Sequence, residues 1–111
     1  MRQLVKAVVT VFSVIFLLVV LGLGFLAFWL RVDPNLHGML ALLAGVLALG
    51  IHIRGGSGLD FLAVLLLVAA LALGIMVSGG GIDSELHLWA AIFAVAASTF
   101  TQIRNLLAEA R

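Results

Sequence analysis

Two histidines occupy matching positions in the sequence, and their side chains are the ones best suited to chemistry. His37 follows Asp33-Pro-Asn-Leu, and fifty positions later His87 follows Asp83-Ser-Glu-Leu, so the pattern Asp-x-x-Leu-His occurs twice. A neutral imidazole nitrogen is a good ligand for iron, copper or zinc at ordinary pH. Two imidazoles at equal depth on two neighbouring helices therefore predict a shared metal centre.

Small side chains follow each histidine at helical spacing, which places them on one helix face. Those behind His37 and His87 are, respectively, Ala41, Ala44, Gly45 and Ala48, and Ala91, Ala94 and Ser98. A flat macrocycle between two helices needs such faces, because larger side chains would occupy its plane, and an iron at its centre needs an imidazole on each side. We therefore predict a haem site with His37 and His87 as iron ligands. The residues predicted to contact the cofactor are Ala41, Ala44, Gly45, Ala91 and Ala94.

Composition places the chain in a membrane. The 111 residues are 65% hydrophobic and only 10% charged, whereas a soluble domain averages about 45–50% apolar and about 25% charged residues. There is no cysteine, which excludes disulfide exchange, thiol nucleophiles, cysteine-ligated zinc and iron–sulfur clusters. The net charge of +1 gives no indication of nucleic-acid binding.

Four apolar runs, at about 7–30, 35–54, 59–78 and 84–107, divide the chain. Each has about 20 residues, enough for a helix to cross about 30 Å of hydrocarbon. They must be helical, because lipid offers no hydrogen-bond partners to the backbone. The short connections make neighbouring helices antiparallel. The prediction is an all-α, integral membrane, up-down-up-down four-helix bundle, formed by residues 1–111 as one unit with an internal two-helix repeat.

Capping residues mark the helix boundaries. Asp33 and Asp83 are predicted N-caps of the second and fourth spans, and Ser57 with Asp60 fits a capping box for the third. Glycine runs follow the second and third spans, where glycine can take the left-handed conformation that ends helices.

The basic residues predict an orientation. Those at one end of the spans are Arg2, Lys6, Arg54, Arg104 and Arg111, whereas the other end has only Arg31. Because short cytoplasmic segments are positively charged, both termini are expected in the cytoplasm, with the bundle in a cytoplasmic membrane of prokaryotic type. His37 and His87 then lie near the outer surface.

The four-span layout, the pairs Leu36-His37 and Leu86-His87, and the two stripes of small residues resemble the small four-helix membrane cytochromes of b type, and one half of a haem A synthase. The resemblance implies haem b with His37 and His87 as its axial pair. It also implies electron transfer rather than catalysis, with a quinol or a redox protein as partner. Arg31, on the same side, is expected to pair with the haem propionates. Members with two haems use four histidines, whereas this chain has three.

The third histidine, His52, has two interpretations. It lies fifteen residues after His37, about 22 Å along a straight helix and on nearly the same face. It is therefore a candidate contact for a second haem or a quinone head group. Its repeat counterpart is Gln102, a poor haem ligand, and the alternative is a hydrogen-bonded core patch with Thr10, Ser13, Ser98 and Thr101.

Other functions remain open at this point. Zinc or copper would need oxygen ligands from Asp33, Asp83 or Glu85 beside the histidines, and Met39 or Met76 could replace one histidine on iron. An accessory subunit without a cofactor would use its glycine and alanine faces for association in a homo-oligomer or a larger complex. A small transporter is a further alternative, but the first span contains no acidic residue that could couple protons to transport.

Overall fold

The computed structural model consists of four α-helices and describes residues 2–30, 34–81 and 83–110. The helices are α1 (Arg2–Leu30), α2 (Pro34–Gly55), α3 (Gly58–Ser78) and α4 (Ser84–Ala110). All four are long and apolar enough to cross a membrane, and the prediction of an all-α chain with four helices is confirmed. α1 and α4 extend further into polar sequence than the apolar runs, because arginine, lysine, glutamine and glutamate are themselves good helix formers.

Two of the predicted caps are confirmed. The Ser57 hydroxyl accepts a hydrogen bond from the Asp60 backbone N–H at 3.1 Å, and the Asp60 carboxylate accepts one from the Ser57 N–H, also at 3.1 Å. At the start of α4, the Asp83 carboxylate accepts a hydrogen bond from the Glu85 N–H at 3.1 Å. The remaining cap, Asp33, lies outside the described residues.

Glycine ends α2 and α3 as predicted. Gly56 and Gly80 have φ angles of 69° and 76°, the left-handed region that a residue with a Cβ rarely enters. Gly56 directly follows the end of α2, and Gly80 lies two residues after the end of α3.

Contacts between helix ends arrange the bundle around α2 and α4. α1 and α3 each pack against both α2 and α4, and α2 also contacts α4 across the centre. Gly24, near the end of α1, faces His37 at the start of α2, and Gly74, near the end of α3, faces His87 at the start of α4. The two histidine-bearing helix starts are therefore on opposite sides of one interior.

The internal repeat includes all four helices. Buried positions recur fifty residues apart, so that Leu17, Val20, Ala44, Ala48 and His52 correspond to the buried Leu67, Ala70, Ala94, Ser98 and Gln102. The sequence repeat was inferred from α2 and α4, but α1 and α3 also match. Val14, Leu17, Leu21, Leu23 and Gly24 recur as Val64, Leu67, Leu71, Leu73 and Gly74. Each helix pair therefore presents the same face to the interior.

A buried polar layer joins three helices near the start of α3. The Asp60 Oδ1 and the Ser98 Oγ each lie 2.7 Å from a nitrogen of His52, Nδ1 and Nε2 respectively. Gln102 Nε2 donates to the same Oγ at 3.0 Å, and Asn105 Nδ2 donates to Asp60 at 3.2 Å. A buried polar group left unpaired costs about 1–3 kcal/mol, so this layer fixes how α2, α3 and α4 meet.

We expect Asp60 to contribute far more stability than the other confirmed cap. Asp60→Ala removes the cap and leaves His52 and the Asn105 amide without their acceptor, so the free energy of unfolding should fall by about 3–5 kcal/mol. Asp83→Ala, the control, removes an exposed cap and should cost about 1 kcal/mol. Reversible unfolding in mixed micelles measures both values, and equal losses would show that the polar layer is not a stabilising tie.

Candidate functional site

A cavity of about 440 Å³ lies between the helices at the end where α2 and α4 begin. Its volume is within the range of about 300–1,000 Å³ that is typical of ligand sites. Both His37 and His87 line it. The other lining residues are mostly small or aliphatic and include Gly24, Ala41, Gly45, Ala70, Ala91, Ala94, Leu17 and Leu67. The cavity is therefore an apolar space with two imidazoles at one end.

The two imidazoles face each other across the bundle. Their ring centres are 6.3 Å apart and their planes are inclined at 60°. Both residues lie in the first turns of their helices, α2 and α4, and both are half-buried. The structure thus brings His37 and His87 together, as the twin helix starts in the sequence indicate.

A glycine on the preceding helix makes room for each ring. A Cβ placed on Gly24 would lie 2.9 Å from Cε1 of His37, and a Cβ on Gly74 would lie 2.9 Å from Cε1 of His87. Any larger residue would overlap the imidazole, so the rings rest directly on bare helix backbone. Gly24 and Gly74 were not among the predicted site residues, although their spacing of fifty residues was a readable signal.

Each imidazole has a buried nitrogen that is left unsatisfied. The ring of His37 lies near the backbone of Val20, and the ring of His87 lies near the backbone of Ala70, the repeat counterpart of Val20. The Nδ1 atoms of both rings are buried and have no hydrogen-bond partner among the described residues. Unpaired buried polar atoms are rare in native proteins and often mark a site that a ligand completes.

The separation of the rings suits a shared metal ion. A metal bound by one imidazole nitrogen on each side, at about 2 Å from each, places the ring centres about 6 Å apart. The observed distance is 6.3 Å. The apolar, small-residue lining beside the rings also suits a flat, largely apolar macrocycle, so the residues present fit a haem.

The predicted contact residues divide into three groups. Those that line the cavity are Ala41, Gly45, Ala91 and Ala94. Ala44 is 1% exposed and packs in the apolar core next to the cavity, without lining it. Arg31 lies outside the described residues, and its pairing with propionates stays a prediction.

The structure places His52 in the polar layer, away from the cavity lining. Hydrogen bonds to Asp60 and Ser98 occupy both of its nitrogens, so the ring has no nitrogen left for a metal. His52 is therefore part of a hydrogen-bonded core patch that includes Ser98. We propose neither a second haem nor a quinone site at His52.

Asp60, His52 and Ser98 are hydrogen-bonded in the same order as the Asp, His and Ser of the catalytic triad in serine hydrolases. However, Ser98 is 0% exposed, and it lines neither of the cavities described here. A nucleophile needs access to its substrate, so we interpret the three side chains as a structural tie between helices.

The alternative metal ligands are not placed to act. Met39 and Met76 are 66% and 49% exposed, and neither lines the cavity. In the described part of the chain, no group of three or more histidine, aspartate or glutamate side chains could hold a metal ion. Among the described residues, the two imidazoles therefore have no third ligand group beside them to complete a zinc or copper site, and Asp33 lies outside those residues.

Comparisons with protein-family models, curated proteins and solved structures found no match to this chain. Support for a function therefore comes from the residues and the geometry of the cavity. The resemblance to membrane cytochromes of b type stays a prediction from the sequence.

We expect alanine at two neighbouring glycines to have opposite effects. Gly24→Ala forces His37 or the backbone to move, so it should destabilise the protein by about 1–3 kcal/mol. Gly22→Ala is the matched control, because a Cβ there meets nothing within 4 Å and should stabilise the helix by about 0.5–1 kcal/mol. Unfolding in detergent measures the difference, and NMR of ¹⁵N-labelled histidine follows the His37 ring. Equal stability with unshifted His37 signals would contradict the packing described here.

Proposed function

We propose that this chain is an integral membrane protein that holds one haem b between His37 and His87 and transfers electrons near the outer face of the membrane. The observation that carries the proposal is the pair of imidazoles, 6.3 Å apart, each with a buried Nδ1 that has no partner within the described part of the chain.

The outer surface of the helices supports insertion in lipid. Large apolar side chains remain exposed on all four helices, and Phe12, Ile53, Phe61 and Phe93 are each 58–71% exposed. Exposed apolar patches of this extent are not stable in water. In a membrane, lipid acyl chains would surround these side chains, and the free-energy cost of exposing them to water would not arise.

Contacts between helix ends support an up-down-up-down arrangement. The start of α2 meets the end of α1 through His37 and Gly24, and the end of α2 meets the start of α3 through His52 and Asp60. Neighbouring helices that meet in this way run in opposite directions. The excess of basic residues at the other end of the bundle from His37 supports cytoplasmic termini.

His37 and His87 would hold the iron from both sides. A haem held by two histidines supplies electron transfer in preference to catalysis. When bound, the haem would supply one-electron redox chemistry. The protein supplies ring orientation through the contacts of His37 with Gly24 and of His87 with Gly74.

The lining of the cavity would tune the centre. Its aliphatic and small residues exclude water and lower the local dielectric, and both effects act on the redox potential of a bound iron. Because the histidines lie in the first turns of α2 and α4, the site is close to one membrane surface. A quinol or a redox protein could exchange electrons with it there.

Absorption spectroscopy tests the proposal. Protein expressed with haem supplied and purified in detergent should show the sharp α and Soret bands of a haem b after reduction with dithionite. His37→Ala and His87→Ala should each lower haem affinity at least tenfold, because loss of even an outer-shell partner of a metal ligand costs about 10–100-fold.

His52→Gln is the matched control, because the repeat itself carries glutamine at position 102. It removes the third histidine without touching the cavity lining, so the haem bands should persist. Unchanged bands in both His37→Ala and His87→Ala would exclude these residues as ligands. A colourless wild-type protein would instead support a cofactor-free accessory subunit.

A further inference from the structure

A row of buried hydrogen bonds lies at the end of the bundle opposite the paired histidines, and it joins Gln102, Ser98, His52 and Asp60 in that order. All four side chains are at most 1% exposed, and the proposed haem site uses none of them. Histidine is the side chain that ordinarily gains or loses a proton between about pH 5 and 8. The row therefore contains one group whose protonation its neighbours must accommodate.

Asp60 fixes the direction of the first hydrogen bond. Its carboxylate accepts from the Ser57 hydroxyl at 2.7 Å, from the Ser57 N–H at 3.1 Å and from the Asn105 amide at 3.2 Å. A carboxylate surrounded by donors acts as an acceptor toward His52 as well. The Nδ1 of His52, 2.7 Å from Oδ1 of Asp60, is therefore the donor and carries a proton whether the ring is neutral or cationic.

The neutral ring orders the rest of the row in one direction. When Nδ1 carries the proton, Nε2 is an acceptor, and the Ser98 hydroxyl at 2.7 Å donates to it. The Ser98 oxygen in turn accepts from Nε2 of Gln102 at 3.0 Å. The Oε1 of the same amide is then left over, because it is buried and has no partner among the described residues.

The protonated ring requires the opposite order. Nε2 of His52 then donates to the Ser98 oxygen, so the hydroxyl proton needs another acceptor. Within this row, the acceptor without a partner is Oε1 of Gln102. A half turn of the amide exchanges Oε1 with Nε2, and the last torsion of a glutamine side chain is broad enough to allow it. The turned amide accepts from Ser98 and directs its NH₂ group to where Oε1 was.

Gln102 also lines a small cavity of about 210 Å³ between α1, α2 and α4, together with Thr10 and Asn105. The end of the amide that Ser98 does not engage determines what Gln102 offers to a molecule in this cavity. That end is an acceptor while His52 is neutral and a donor once His52 is protonated. The two states would therefore favour different hydrogen-bonding groups in the cavity.

Charged groups from all four helices surround the ring of His52. Asp60 of α3 is in hydrogen-bond contact with it, whereas Arg54 of α2 and Lys6 of α1 line the neighbouring cavity. On α4, the exposed Arg104 donates to Asn105 at 3.4 Å. A cationic ring would pair with the carboxylate and be repelled by the basic groups, so these opposing effects bear on the pH at which the amide turns.

We propose that protonation of His52 turns the Gln102 amide through Ser98, so that the small cavity presents a hydrogen-bond acceptor at high pH and a donor at low pH. The row thus couples a buried proton to the polarity of a cavity at the end of the bundle where α1 begins. The coupling needs no haem, so it stands even if the protein is colourless.

NMR of the full chain in detergent, with ¹⁵N-labelled histidine and glutamine, tests the proposal between about pH 5 and 8. The chain has three histidines and two glutamines, so His52→Gln and Gln102→Asn identify the signals. Nε2 of His52 should change from an acceptor to a protonated nitrogen. The NH₂ signals of Gln102 should shift with the same midpoint, because the amide loses its bond to the Ser98 oxygen.

Ser98→Ala removes the hydroxyl that links the two groups, so His52 should still titrate while the Gln102 signals stay constant. Ser13→Ala is the matched control, because Ser13 is a serine of equal burial whose Oγ has no partner among the described residues. It should retain the coupled shift.

Constant Gln102 signals during the titration of wild-type His52 would overturn the proposal, and would mean that the hydroxyl turns to a carbonyl of its own helix instead. A Gln102 shift in Ser98→Ala equal to that of the wild type would also overturn it, by showing a direct effect of charge. So would a His52 ring that takes up no proton before the protein unfolds. The wild-type titration decides the first and last of these outcomes even if Ser98→Ala does not fold.

Discussion

Direct contact between imidazole and bare helix backbone determines what the centre of this bundle can do. His37 rests on Gly24 and His87 rests on Gly74, each so closely that a single added carbon would overlap the ring. The rings therefore stay beside the cavity instead of filling it, and the small residues behind them keep the space open. The cost is a buried Nδ1 on each ring with no partner in the described part of the chain, which a metal ion between the rings would offset.

The internal repeat is symmetric at one end of the bundle and asymmetric at the other. At the cavity end, each half supplies a histidine and a facing glycine at equivalent positions. At the other end, His52 corresponds to Gln102 and Asp60 corresponds to Thr10, so the two halves are complementary instead of identical. Equivalent histidines would suit a metal held from both sides, whereas a hydrogen-bonded tie needs a donor to meet an acceptor.

Much of the fold was predictable because its signals are local. Run length and composition predicted four helices, and the Ser57–Asp60 box and the Asp83 cap followed from short-range hydrogen bonding. The pairing of His37 with His87 was predictable from their equal distance from a helix start. These features depend on neighbours in the sequence or on a repeat that is visible in it.

The remaining features depend on how helices cross, which the sequence does not state. The sequence predicts Asp60 only as a capping residue. Its position 2.7 Å from His52 depends on the packing of α3 against α2. In the sequence, Gly24 and Gly74 suggest only close packing of helices, because small residues generally have that role in membrane helices. Ala44 has the helical spacing of the cavity residues, but it packs in the apolar core and does not line the cavity.

The most direct test of a centre shared by His37 and His87 is electron paramagnetic resonance of the oxidised, purified protein, with the iron content measured on the same sample. If one chain supplies both imidazoles to one iron, the spectrum should show low-spin, six-coordinate iron at about one iron per chain. High-spin iron, or about half an iron per chain, would contradict a haem held between the two histidines of a single bundle.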